Sequence, residues 1–149
     1  MPESKLEQRV RHHYVNNDHS CSETLLNACN ETFHLGLPDD AYRLLSGFSA
    51  GMYTGNVCGA LVGCTAALSM MLVTTRAHDT PELANAQRLL VRNFRQELSD
   101  TQCIKVKAVH HTKEQGCLAT CLLAAKAMNK TVAQLTDQGL IAPGTTVLD

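Results

Sequence analysis

Apolar residues recur every three or four positions along most of the chain, which is the spacing of helices with one buried face. The longest such stretch, residues 57–74, is apolar almost all round, so it predicts a helix at the centre of the core. Further helices are predicted over approximately residues 5–15, 21–34, 38–48, 81–98, 117–128 and 131–138. The pattern therefore predicts an all-α fold, a single bundle of about five to seven helices around residues 57–74.

Two helix starts carry a strong local signal. Ser4 with Glu7, and Ser20 with Glu23, have the spacing of a capping box, in which two side chains satisfy free N–H groups. The second box makes Cys21 the first residue of its helix.

Other stretches carry weaker signals. Pro38 and the two aspartates after it predict a helix start. The apolar face of that helix is expected to carry Ala41, Tyr42, Leu44, Leu45 and Phe48. Thr131 is expected to cap a short last helix that is separate from the one before it. Residues 99–116 predict a loop or a short helix, so Cys103 is expected in a loop between two helices.

Composition adds that one domain is enough to account for the chain. Its 149 residues are 44% hydrophobic and only 4% aromatic, without tryptophan, so small and aliphatic side chains must build a closely packed core. We expect one domain over residues 1–149, with a frayed tail over residues 143–149.

Charge and hydropathy exclude several classes of function. The net charge of −1 gives no electrostatic basis for binding nucleic acid. The longest apolar run, residues 60–73, is shorter than the roughly 20 residues that span a bilayer, so no membrane insertion is expected. The N-terminus does not have the pattern of a signal peptide, and we therefore expect a cytoplasmic protein.

Cysteine content changes this picture. The chain has seven cysteines, so they cannot all be paired in disulfides. A cytoplasmic location also disfavours a disulfide framework, and metal binding or redox chemistry is favoured instead. No Cys-x-x-Cys pair occurs, so any site must be assembled from residues distant in the sequence. The cysteines are Cys21, Cys29, Cys58, Cys64, Cys103, Cys117 and Cys121.

Cys58 is the leading candidate among them. A loop rich in small residues, including Gly51 and Gly55, precedes it, and the central helix begins next to it. Free N–H groups and the positive end of the helix dipole there favour a thiolate, so we expect a lowered pKa for Cys58. Gly59 and Gly63 let another helix pack closely against this one.

The remaining cysteines differ in what their positions predict. Cys29 and Cys64 fall on apolar faces and are expected only to fill the core. Cys117 and Cys121 are four residues apart, so their side chains lie on one face of a helix. Close packing of the helices would bring Cys21 near Cys58.

Histidines offer few further ligands. The adjacent pairs at residues 12–13 and 110–111 point in different directions on a helix, so we expect them to be solvated at the surface. His19 lies two residues before Cys21 and is the histidine expected as an additional ligand or proton donor.

Four segments of the chain carry a resemblance to a known family. They are NDHSCSETLL (17–26), LLSGFSAGMYTGNVCGALVGCTAAL (44–68), FRQELSDTQC (94–103) and CLATCLLAA (117–125). Together they resemble a bacterial family of redox-active proteins named for its C_GCAxxG_C_C pattern. That family has four characteristic cysteines and a Cys-Gly-Ala-x-x-Gly motif, which residues 58–63 match at every fixed position.

The resemblance implies which cysteines form the site. The family's first cysteine falls on Cys21, the motif cysteine on Cys58 and the third on Cys103. The fourth falls on Cys117, because a pair of alanines follows it at the family's distance, and Cys121 is the alternative. The match covers about residues 17–128, and it departs from the family in the loop before Cys58, which has fewer glycines here.

Two chemistries suit four converging cysteines. One is an iron–sulfur cluster, or another metal such as zinc, bound by Cys21, Cys58, Cys103 and Cys117 for electron transfer or redox sensing. The alternative is thiol–disulfide exchange without a cofactor, in which Cys58 attacks and Cys21 or Cys117 resolves the mixed disulfide. Whether the protein is an enzyme stays open at this point.

A third hypothesis comes from a different class of function. The bundle could be a binding or sensing module whose state is set by cysteine oxidation or by metal occupancy. In every version we expect a redox partner protein or a small-molecule reductant that the sequence does not identify. Met52 and Tyr53 are apolar residues of the loop, and their exposure would favour a homodimer.

Overall fold

The fold is all-α, as the sequence pattern predicts. The structure, a computed structural model, describes residues 2–142, and over this range it contains helices and two isolated bridges but no strand. The helices are α1 (Lys5–Arg11), α2 (Cys21–Thr32), α3 (Gly59–Leu72), α4 (Leu83–Leu98), α5 (Cys103–His110) and α6 (Leu118–Asp137). The expected frayed tail at residues 143–149 lies outside the described residues.

Both capping boxes are confirmed. The Ser4 side chain accepts from the Glu7 N–H at 3.2 Å, and the Glu7 carboxylate accepts from the Ser4 N–H at the same distance. Ser20 and Glu23 form the equivalent pair at the start of α2. Cys21 is therefore the first residue of α2, as expected.

Helix α3 lies at the centre of the bundle, which confirms the prediction from its apolar sequence. Its Ala60, Cys64, Ala67 and Leu68 have no exposed surface. It packs against α2 on one side and against α4 and α6 on others. Among residues 2–142, no helix is long and apolar enough to cross a membrane.

The prediction of an α-helix over residues 38–48 is wrong about the type of helix. Residues Ala41–Phe48 form a 3-10 helix, and Arg43 donates its N–H to the Asp40 carbonyl three residues earlier. Of the apolar residues predicted to face inward, Leu45 is buried but Leu44 is 81% exposed. A tighter winding changes which side chains share a face, so the helical spacing of the sequence does not apply here.

The C-terminal part of the chain forms one helix where the sequence predicts two. Helix α6 continues through Thr131 to Asp137. Thr131 does not act as a cap, because its hydroxyl donates to the Ala127 carbonyl one turn earlier and accepts from the Asn93 amide of α4. Tertiary contacts therefore satisfy the threonine within the helix.

Residues 99–116 contain the short helix α5, which confirms one of the two alternatives predicted for this segment. The expectation that Cys103 lies in a loop is wrong, because it is the first residue of α5. The segment before α5 pairs with the segment before α3 through an isolated antiparallel bridge between Val57 and Gln102. This bridge brings the starts of two helices together.

Candidate functional site

One cavity of about 540 Å³ is surrounded by the starts of four helices. Cys21 is the first residue of α2 and Cys103 is the first residue of α5. Cys58 and Cys117 are the residues immediately before α3 and α6. All four line the cavity, and we refer to them as the four cavity cysteines.

The wall between α2 and α3 depends on close packing. A Cβ atom on Gly63 would lie 2.7 Å from the Leu25 Cβ and 2.7 Å from the Ser22 carbonyl oxygen. A Cβ on Gly59 would lie 3.2 Å from the Ser22 nitrogen. The small residues of the motif therefore let α3 approach the first turn of α2, where Cys21 lies.

The opposite wall is formed by the loop at residues 49–57 together with α5. Backbone hydrogen bonds join them: the Cys58 N–H donates to the Thr101 carbonyl at 2.7 Å, and the Cys103 N–H donates to the Asn56 carbonyl at 2.5 Å. A Cβ on Gly51 would lie 2.7 Å from the Cys103 Cβ. Backbone pairing therefore holds Cys103 beside Cys58.

The loop itself has an unusual backbone. Ala50, Gly51, Met52 and Tyr53 all have φ between 52° and 64°, in the left-handed region. Only glycine adopts this region without a steric cost, which is about 1–2 kcal/mol for other residues. Ala50, Met52 and Tyr53 therefore occupy positions where glycine would be the least strained residue.

The cavity cysteines form two pairs. The Cys21 thiol lies next to the Cys117 and Cys121 thiols, since side-chain interactions with both of them shift its pKa. Cys121 is fully buried one turn further along α6 and does not line the cavity, whereas Cys117 does. Cys58 and Cys103 form the second pair, on the two segments joined by the bridge.

The expected low pKa of Cys58 is wrong. Burial raises its pKa to about 11, although hydrogen bonds from the N–H groups of Ala60 and Leu61 oppose this shift. Only 3% of the residue is exposed, so the cost of desolvating a thiolate exceeds the stabilisation that the helix start provides. In the metal-free protein Cys58 is therefore a neutral thiol at pH 7.

The other cavity cysteines are also poorly ionised. The hydrogen bond with Cys21, followed by burial, raises the pKa of Cys117. Burial raises the pKa of Cys103, while the nearby Lys107 ammonium acts in the opposite direction. For Cys21, the hydrogen bond with Cys117 lowers the pKa, but the Cys121 hydrogen bond and burial outweigh it, and the net shift is upward.

Tyr14 belongs to the site and was missed by the sequence reasoning. Its hydroxyl oxygen accepts from the Cys117 N–H at 2.8 Å, and burial raises its pKa to about 12. Gly116 makes room for it, since a Cβ there would lie 2.7 Å from the hydroxyl oxygen. The contact joins residues about one hundred positions apart, so no local pattern could have indicated it.

The histidines are placed differently from one another. His19 lines the cavity, and its Nδ1 is 3.1 Å from the Asn27 amide nitrogen. Its role as an additional ligand or proton donor stays a prediction. His13 is buried, so its expected exposure is wrong: its Nε2 lies 2.6 Å from a Glu31 carboxylate oxygen. Its ring also stacks on that of His19.

Two further properties limit the chemistry of the site. Within residues 2–142, no three histidine, cysteine, aspartate or glutamate side chains are placed to bind one metal ion together. Cys29 and Cys64 are fully buried away from the cavity, in agreement with the expectation that they lie in the core.

Comparison with known proteins identifies the family. No curated protein and no solved structure matches the chain. A family model described as "Putative redox-active protein (C_GCAxxG_C_C)" matches residues 19–133, a range that includes all four cavity cysteines. The chain therefore belongs to the C_GCAxxG_C_C family of redox-active proteins.

Proposed function

We propose that this protein transfers electrons through an iron–sulfur cluster held by the four cavity cysteines. The observation that carries the proposal is their arrangement, since one thiol stands at the start of each of four helices around a single cavity. A cluster bound by four thiolates is anionic, and helix starts favour buried negative charge. When bound, such a cluster supplies reversible one-electron transfer.

The donor set fits a cluster better than a single ion. A structural zinc ion takes about four ligands at one point, whereas no three ligands share a point in the described part of the chain. A two-iron cluster takes two thiolates on each iron, so it requires only pairs. The Cys21–Cys117 and Cys58–Cys103 pairs match that requirement.

The surrounding residues would act on the bound sulfurs. The N–H groups of Ala60 and Leu61 oppose the rise in the pKa of Cys58, and they would stabilise its sulfur as a thiolate ligand. The metal-free thiols are neutral at pH 7 because their pKa values are raised, so binding must release their protons. We therefore expect cluster loading to be weaker at lower pH.

Anaerobic reconstitution tests the proposal. The metal-free chain is treated with ferrous iron and sulfide, desalted, and analysed by visible absorption and by iron and sulfide content. We expect charge-transfer bands and about two irons and two sulfides per chain. A protein that stays colourless, or that binds one zinc instead, contradicts the proposal.

Alanine variants assign the ligands. Cys58→Ala and Cys103→Ala are expected to lose most of the bound iron, whereas Cys29→Ala, which removes a buried cysteine outside the cavity, should retain it. Cys117→Ala compared with Cys121→Ala identifies the fourth ligand. We expect the larger loss for Cys117, because it lines the cavity and Cys121 does not.

A second candidate function is thiol–disulfide exchange, and the hydrogen bond between the Cys21 and Cys117 thiols favours it. In this version these two residues are the redox pair, because their thiols already lie next to each other. Mild oxidation of the metal-free chain should then remove two thiols and link Cys21 to Cys117. Cys117→Ala should abolish that linkage.

A further inference from the structure

The sulfur atoms of this protein extend from the cavity into the core. Cys21 lies at the cavity and its thiol is hydrogen-bonded with Cys121, which is fully buried. Cys121 lies near Cys64, which contributes to its raised pKa and whose sulfur contacts the Ala124 carbonyl oxygen one turn further along α6. Cys64 is in turn hydrogen-bonded with Cys29, and both are 0% exposed. The electron-transfer site proposed above uses neither Cys29 nor Cys64.

The helices that carry the two inner cysteines are unusually close. Cys29 is on α2 and Cys64 is on α3, directly after Gly63. A Cβ on Gly63 would lie 2.7 Å from Leu25, one turn before Cys29 on α2. A disulfide requires α-carbons within about 7 Å, and helices approach that closely only where small residues line the contact.

We propose that Cys29 and Cys64 are a second redox site, a core dithiol that closes into a disulfide between α2 and α3 by internal exchange through Cys121. External oxidants cannot contact either inner thiol, because neither has exposed surface. Cys121 provides the route, since it interacts with Cys21 and is also within electrostatic range of Cys64. The Cys64 sulfur also lies 3.9 Å from the Ala124 carbonyl oxygen, one turn along α6 from Cys121.

The reaction balances in three steps. A low-molecular-weight disulfide such as glutathione disulfide oxidises Cys21 and Cys121 and leaves as two thiols. The Cys64 sulfur then attacks the Cys121 sulfur, and Cys21 leaves and takes the proton that Cys64 lost. Finally Cys29 attacks the Cys64 sulfur, and Cys121 leaves with the proton from Cys29. Two electrons and two protons have then moved from the inner pair to the external disulfide.

Disulfide mapping tests the proposal in the folded, metal-free chain. The protein is incubated with glutathione disulfide, quenched in acid, alkylated while unfolded, digested and analysed by tandem mass spectrometry. Cleavage at Glu23 separates Cys21 from Cys29, and cleavage at Leu61 separates Cys58 from Cys64. We expect a Cys29–Cys64 linkage to accumulate. Inner cysteines that remain fully alkylatable would overturn the proposal.

Two variants distinguish internal exchange from opening of the core. Cys121→Ala should slow formation of the inner linkage at least tenfold. Val132→Ala, which weakens α6 at a buried position without removing a sulfur, should leave the rate within about twofold. Formation of the linkage at the wild-type rate in Cys121→Ala would overturn the exchange route.

A third variant covers the case in which Cys121→Ala does not fold. In Cys29→Ala the last step cannot occur, so a Cys64–Cys121 linkage should accumulate, and its absence would overturn the route. None of these measurements uses iron. Failure of the core site is therefore distinguishable from failure of the cluster site.

Discussion

The two walls of the cavity hold their cysteines by different physical means. On the α2–α3 wall, side chains and backbone pack so closely that Gly63 has no room for a methyl group. On the loop–α5 wall, two backbone hydrogen bonds join the segments, and Ile104 and Tyr53 beside them are 65% and 74% exposed. One wall depends on burial and the other on backbone pairing.

This difference indicates where the site can move. Burial ties Cys21 and Cys58 to the stability of the whole bundle, because α2 and α3 form much of its core. Few buried apolar contacts support the loop and α5, so they can open locally at lower cost.

Gly63→Ala should give the largest loss of stability. Its methyl group would lie 2.7 Å from both Leu25 Cβ and the Ser22 carbonyl oxygen, so the two helices must separate. We expect the free energy of unfolding to fall by about 3 kcal/mol, measured by urea denaturation. The variant should also lose reconstituted iron, because the separation moves Cys21 away from Cys58.

Gly47→Ala is the matched control. A Cβ at this position would meet nothing within 4 Å, so its stability should change by less than about 1 kcal/mol. If both variants lost the same unfolding free energy, close packing of α2 on α3 would not be what stabilises this wall.

The α2–α3 wall should also weaken at alkaline pH. The pKa of Cys58 is about 11 in the folded chain against 9.0 for an ordinary cysteine, so the unfolded chain loses its proton first. Folding is therefore fully stabilised below pH 9, and the contribution is lost as the pH rises through 11. The difference between these two pKa values corresponds to about 2.7 kcal/mol of unfolding free energy.

Cys58→Ser isolates this effect, because serine does not ionise in this range. Urea denaturation across this pH range measures the unfolding free energy of both proteins. As the pH rises, wild type should lose up to about 2.7 kcal/mol more of it than the variant. A difference that does not change with pH would show that Cys58 ionises normally.

Local signals in the sequence predict those parts of the fold that local interactions determine. Both capping boxes depend on side chains three residues apart, and the central helix follows from its apolar composition. The continuation of α6 through Thr131 could not be predicted in this way, since the partner of its hydroxyl is Asn93 on another helix. The apolar spacing of residues 41–48 does not distinguish the observed 3-10 helix from the α-helix that it predicted.

In the candidate site, too, local features were predictable from the sequence and features that depend on tertiary contacts were not. The positions of Cys21 and Cys58 at helix starts are local and were predictable, whereas the convergence of the four cysteines was implied only by the family resemblance. The pKa of Cys58 was predicted in the wrong direction, because the helix start is visible in the sequence but the burial that outweighs it is not. The contact of Cys21 with Cys117 spans almost one hundred residues.

Ala50→Gly on the loop–α5 wall should produce the smallest effect, and in the opposite direction. Ala50 has φ 52°, where a side chain costs about 1–2 kcal/mol, while glycine makes the unfolded chain more flexible by about 0.4–1 kcal/mol. We expect a net gain of about 0.5 kcal/mol in urea denaturation. Ala66→Gly, within α3, should instead lose about 1 kcal/mol. If both variants lost stability equally, the left-handed backbone at Ala50 would carry no strain.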